Sequence, residues 1–104
     1  EKLFAMKPRP TAIFAMNDEM AAGVLQAGRF AGLDAPRDFS IAGFDDYDIA
    51  TRVWPPLTTV HSATRVFGRM AAEKLIGVVG KPSDVTMRLV VRASTGPAPR
   101  LPVR

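Results

Sequence analysis

Two polar residues stand where a short apolar run stops, and both could bind a small polar molecule. Asn17 follows Thr11-Ala-Ile-Phe-Ala-Met16, and Asp45 follows Phe39-Ser-Ile-Ala-Gly-Phe44. Continuous apolar runs with β-branched and aromatic members read as strands covered on both faces. In a parallel sheet such strands end along one edge, and ligands bind in the crevice beyond it. An amide that donates and accepts, beside a carboxylate that accepts, could hold the hydroxyls or amines of a ligand. The same residue types also cap turns and helix starts. Position alone leaves both readings open.

The other reactive residue types support less. Asp46 and Asp48 beside Asp45 could offer oxygen ligands to a hard cation, but no further metal motif accompanies them, and Asp46 reads rather as the N-cap of a following turn. His61 is the single histidine in a chain without cysteine, so it reads as a polar residue at a strand–helix junction. Ser40, Ser62, Ser83 and Ser94 lack the Gly-x-Ser-x-Gly elbow of a nucleophilic serine. No glycine-rich phosphate loop is present. Trp54, before Pro55-Pro56, could stack on a sugar ring or simply pack against apolar neighbours. The expectation is a protein that is not an enzyme and uses no cofactor or metal.

The elements that would position these residues are legible in outline. Residues 1–10 read as the end of a preceding element and a turn, because Pro8 and Pro10 disfavour helix before them. A strand over 11–16 leads to a helix over 18–31, opened by Asp18 and Glu19 and stopped by Gly32. A strand over 39–44 follows, giving strand, helix, strand with short connections, the mark of an α/β fold. Residues 45–56 form a loop with one helical turn at 49–53, and 57–60 form a third strand. Ser62 is placed to cap a second helix reaching about residue 79 and ended by Gly80-Lys81-Pro82. Its Val66, Phe67, Met70, Ala71, Leu75 and Val78 make one apolar stripe. A last strand covers 86–92, and the Pro-rich tail from Gly96 reads as loose.

The helix over 18–31 is apolar nearly all round, which a helix lying on one face of a sheet does not need. One stripe, Met20, Val24, Ala27 and Ala31, can lie on the sheet. That leaves Ala21, Leu25 and Gly28 for another surface, read as a homodimer contact or as burial under further parts of the same chain.

Composition bounds the remainder. With 104 residues, 47% of them hydrophobic and 23% charged, the chain is one globular domain or part of one. The net charge of +4 comes from basic residues scattered from Lys2 to Arg104. Binding a phosphate backbone needs them on one face, so a solvated basic surface is expected instead. There is no apolar run of the ~20 residues a membrane span needs, and no secretory signal segment at the start. The absence of cysteine suits a reducing, cytoplasmic setting. Because the chain opens on Glu1, its true N-terminus is expected to lie elsewhere.

Several ordered blocks carry a resemblance. Pro10-Thr-Ala-Ile-Phe-Ala-Met-Asn-Asp-Glu-Met-Ala-Ala-Gly23, Asp38-Phe-Ser-Ile-Ala-Gly-Phe-Asp-Asp46, Pro55-Pro-Leu-Thr-Thr-Val60, Gly68-Arg-Met-Ala-Ala72 and Val90-Val-Arg-Ala-Ser-Thr-Gly-Pro97 resemble, in order and spacing, the C-terminal part of LacI/GalR transcriptional regulators. The resemblance covers the whole chain but well under half of a family member. It implies an incomplete α/β, parallel-sheet subdomain of the type I periplasmic-binding-protein-like fold, with one helix belonging to an N-terminal subdomain absent here. Residues 1–60 would be C-terminal subdomain, 61–80 the hinge crossing and the other subdomain's helix, 81–95 the returning strand and 96–104 the loose tail. It implies effector contacts at Asn17, Asp45 and Ser62, although His61-Ser62-Ala63 departs from the family's usual glutamine. It also implies a homodimer face on helix 18–31 (Ala21, Ala22, Leu25, Gly28) and at Val53. The partners would be a sugar-like effector and, through an N-terminal helix-turn-helix only, operator DNA. A transport-system solute-binding protein shares this fold and is the nearest alternative. A metal-dependent α/β enzyme using Asp45, Asp46 and Asp48 is a more distant one.

Overall fold

One helical turn, α1 (Lys2–Ala5), precedes the first strand, β1 (Ala12–Phe14). The computed structural model describes residues 2–80, 83 and 85–99. From β1 the chain enters helix α2 (Asp18–Phe30) and returns as β2 (Ser40–Ala42), parallel to β1 with Ile13 opposite Ile41. A short helix, α3 (Ile49–Arg52), leads to β3 (Thr59–His61). Parallel bridges Ala42–Thr58 and Asp45–His61 set β3 beside the end of β2. Helix α4 (Thr64–Leu75) follows, and β4 (Arg88–Val90) comes back antiparallel to β3, with His61 opposite Arg88. The result is the strand–helix–strand α/β architecture read from the sequence, with a parallel β1–β2 pair and an antiparallel β3–β4 pair joined by two parallel bridges.

The core is small and lies between α2 and the sheet. Ala15, Ala21, Leu25, Phe39, Ile41, Ala50 and Leu57 are buried, and Phe4 of α1 meets Phe39 edge-on at 4.9 Å between ring centroids. The two faces of α2 are exchanged relative to expectation. Ala21, Leu25 and Gly28 face the sheet, whereas Met20 is 56% and Phe30 83% exposed. The reason is room: a methyl group at Gly28 would stand 2.7 Å from the Phe39 ring, so only the small-residue face can approach. Ala21, Leu25 and Gly28 are therefore core residues and are unavailable to a dimer. Ala22 and Val53 stay part-exposed.

Both long helices stop at a glycine in the left-handed region. Gly32 (φ +71) ends α2, as expected, with Leu33 N–H donating to the Gly28 carbonyl at 2.9 Å. Gly77 (φ +75) ends α4 in the same way, with Val78 N–H donating to the Glu73 carbonyl at 2.9 Å. The expected stop at Gly80-Lys81-Pro82 is thus three residues late, and its Lys81 and Pro82 lie outside the described residues. The start of α4 also differs. Pairing with both Asp45 and β4 carries β3 through His61, so the helix begins at Thr64 with Ala63 at its N-cap. Ser62 is not the cap; its hydroxyl meets the Thr64 hydroxyl at 2.6 Å. No residue of α4 is buried.

The returning segment is held as far as Gly96, the first residue of the expected loose tail. Ser94 is fully buried, donating to the Ile41 carbonyl at 2.6 Å and accepting from Thr58 N–H at 2.8 Å. Gly96 N–H donates to the Ser40 hydroxyl at 3.1 Å. Residues 100–104 of the expected loose tail lie outside the described residues.

Candidate functional site

The backbone turns sharply where β2 ends. Asp45 (φ 103) and Asp46 (φ 58) both occupy the left-handed side of the map, where residues bearing a Cβ are rarely found. Four contacts hold them there. Asp45 N–H donates to the Val60 carbonyl at 2.9 Å. The Asp46 carboxylate accepts from Arg92 Nη2 at 2.7 Å and lies 3.1 Å from His61 Nδ1. The neighbouring Tyr47 N–H donates at 2.8 Å to Asp18 Oδ2. Asp46 is therefore a brace rather than the N-cap of α3, a place taken by Asp48, which makes no side-chain cap bond. Burial pushes the Asp46 carboxyl up, but hydrogen bonds and charge from Arg92 and His61 outweigh that and hold it below the ordinary carboxylate range.

Asp18 is the second brace and was not singled out for this role by its sequence position. It sits fully buried at the start of α2, where its Oδ1 accepts from the Thr59 hydroxyl. One carboxylate thus ties α2, the 45–47 turn and β3 together. Gly43 lets it do so, because a Cβ at that position would collide with the Asp18 carboxylate and lie 3.0 Å from Leu57. Arg92 likewise reads in the sequence only as one charge in an apolar stretch. In the structure it reaches back to the Leu57 carbonyl at 2.9 Å and to Asp46. An arginine closing the apolar run Leu89-Val-Val91 was the available signal.

These braces shape an open cleft of about 540 Å³ beside the ends of β2 and β3 and the first turn of α4. That volume falls in the range of small-molecule sites. Asp45 and Ser62 both line it, together with His61, Thr64, Arg65 and Arg88. Asn17 does not; its Oδ1 accepts from Met20 N–H at 2.8 Å and caps α2. Among the described residues no three of His, Cys, Asp and Glu gather as a metal ion would require.

The sequence pattern of the periplasmic binding protein-like domain matches residues 1–95. The chain belongs to that family. Within the family, it is 42% identical over 76 residues to the HTH-type transcriptional repressor PurR of Vibrio cholerae, covering 73% of this chain and 23% of that protein. It is 41% identical over 81 residues to the ribose operon repressor of Escherichia coli, covering 78% of this chain and 24% of that one. This periplasmic binding protein-like chain thus spans about a quarter of the length of the curated relatives it matches. Among solved structures, a LacI family transcriptional regulator from Lactobacillus casei with bound sucrose superposes with a TM-score of 0.81 at 27% identity, over 90% of this chain and 37% of that one. A lac repressor dimer bound to operator and an anti-inducer gives 0.74 at 31% identity, over 88% and 34%. These neighbours, which are LacI-type regulators, confirm the fold read from the sequence blocks. No helix among the described residues is long and apolar enough to cross a membrane.

Proposed function

We propose that this chain is the C-terminal part of the effector-binding core of a LacI-type transcriptional repressor, a cytoplasmic sensor of a sugar-like metabolite rather than an enzyme. The carrying observation is the cleft at the carboxyl end of β2, where Asp45 is held in a strained backbone facing Ser62 and the first turn of α4. Strained residues braced from several sides are characteristic of ligand clamps and switches. That the relatives are repressors, and that one solved neighbour holds sucrose, supports this reading over a transport receptor.

In this reading Asp45 accepts hydrogen bonds from effector hydroxyls, and Ser62 contributes from the junction between β3 and α4. Asn17, whose Oδ1 caps α2 outside this cleft, is left out of the proposed contact set. A ligand touching both Asp45 and residues 62–65 binds one orientation of α4 against the sheet better than another, and so shifts the population. Operator contact belongs to a helix-turn-helix elsewhere in the full-length protein. The subunits pair through the outer face of α2 at Ala22 and through Val53.

The test uses the full-length gene product and DNA from its own promoter region, followed by fluorescence anisotropy with a panel of pentoses, hexoses and disaccharides. The expected result is DNA binding that a panel sugar changes, with the sugar response lost in Asp45→Asn while DNA binding remains. A wild-type protein that does not bind the DNA, or an Asp45→Asn variant with an unchanged sugar response, would overturn it.

A further inference from the structure

The charges lining the cleft are unequal, and the excess points to the class of molecule it takes. Resting on the sensor reading above, we infer that the effector carries an anionic group, a phosphate or a carboxylate, on a hydroxylated body. Five chargeable side chains line the cavity: Asp45, Asp46, His61, Arg65 and Arg88. Asp46 is already engaged by Arg92 at 2.7 Å and by His61 at 3.1 Å. Asp45, Arg65 and Arg88 take part in none of the ion pairs formed among the described residues, which join Arg37, Arg52, His61, Arg69 and Arg92 to other carboxylates. Among the described residues the cleft therefore presents one carboxylate and two guanidiniums outside any ion pair.

Their placement gives the cleft a direction. Arg88 lies directly opposite His61 in the β3–β4 ladder, so the two side chains share one face of the sheet. Arg65 rises from the first turn of α4 on the same cleft. Asp45 stands at the end of β2. An anion next to Asp45 would be repelled, while hydroxyls would be accepted there. The same anion between Arg65 and Arg88 would meet planar donors that suit phosphate and carboxylate oxygens. A neutral sugar would leave both guanidiniums without a charged partner. About 540 Å³ is ample for one sugar ring with a phosphate or carboxylate attached.

The experiment compares matched probes on the full-length protein by isothermal titration: glucose with glucose 6-phosphate and gluconate, and ribose with ribose 5-phosphate. Inorganic phosphate serves as a control for simple anion binding. Arg65→Gln and Arg88→Gln are tested against the same probes, since both positions are exposed and neither substitution touches the core. The expected result is that at least one phosphorylated sugar or sugar acid binds more tightly than its neutral parent and than inorganic phosphate. Each glutamine variant should weaken that binding roughly 10- to 100-fold, as expected for losing a charge-assisted contact, and weaken the neutral parent by clearly less. Tighter phosphate than carboxylate binding, or the reverse, identifies which anion is meant. Preference for the neutral sugars, or anion binding untouched by both variants, overturns the inference and leaves the sensor reading standing. No binding by any probe also overturns it, and with no promoter binding either, the sensor reading falls as well.

Discussion

At the scale of single residues, the site depends on two carboxylates that do not touch the proposed ligand's hydroxyls first. Asp18 ties α2 to the 45–47 turn and to Thr59, and Asp46 ties the same turn to Arg92. Each acid spends its charge on backbone or guanidinium donors, which is how a buried or half-buried carboxylate becomes tolerable. Because the folded protein holds the Asp46 carboxyl below its usual range, its contribution to stability is present above the unfolded value of about 3.9 and is lost as pH falls through the folded one. Acidification from pH 6 to 3 should therefore lower the melting temperature of the wild type more than that of Asp46→Asn, measured by circular dichroism. Equal losses in both proteins would show that the Arg92 brace contributes nothing. The sequence disclosed Asp45 and Asp46 as a pair but not their division of labour, because Arg92 lies forty-six positions away and only the return of β4 brings it near.

At the scale of elements, α2 carries an internal contrast. Gly28 and Gly23 occupy the same helix, yet a Cβ at Gly28 would press on the buried Phe39 ring at 2.7 Å while one at Gly23 meets nothing within 4 Å. Gly28→Ala should destabilise by roughly 1–3 kcal/mol through overpacking. Gly23→Ala should stabilise by about 0.4–1 kcal/mol by removing unfolded-state freedom and improving helix propensity. For a chain of this size each kcal/mol moves the melting temperature by roughly 4–8 °C. Thermal melts of the two variants should thus move in opposite directions, and a shared direction would refute the packing assigned to this helix. The helix itself was legible from its acidic start, its apolar length and Gly32. Its rotation was not, since a helix apolar on two sides gives the periodicity no preferred face. The start of α4 was missed for a related reason: strand pairing at His61 outcompeted a serviceable cap at Ser62.

At the scale of the whole molecule, the described chain is elongated, with extents of 62 × 22 × 22 Å and a radius of gyration of 17.6 Å. A compact domain of this length would have a radius of gyration of about 13 Å. In α4, Phe67 is 43%, Met70 38% and Leu75 88% exposed, so its apolar stripe is left largely uncovered. A seven-residue core on one side of the chain cannot compensate for that exposure. These 104 residues produced alone should melt broadly and below the ~45–65 °C usual for mesophilic domains, and should bind a dye that reports exposed apolar surface. A sharp transition above that range would contradict the uncovered stripe. The same isolated chain should show no DNA binding in a gel shift at physiological salt, because its basic residues are spread rather than gathered.

The α/β class, the order of elements, the family and the candidate at Asp45 could all be read along the chain. Each of these is written in local pattern: apolar runs, acidic helix starts, glycine stops and blocks at fixed spacing. The tertiary structure alone decided which face of α2 is core, that Ser62 lies beside Asp45 while Asn17 caps a helix, and that Arg65 and Arg88 reach the same cleft. Those facts depend on strand pairing and on the room beside Phe39, which arise between residues far apart in the chain and leave no periodic trace along it.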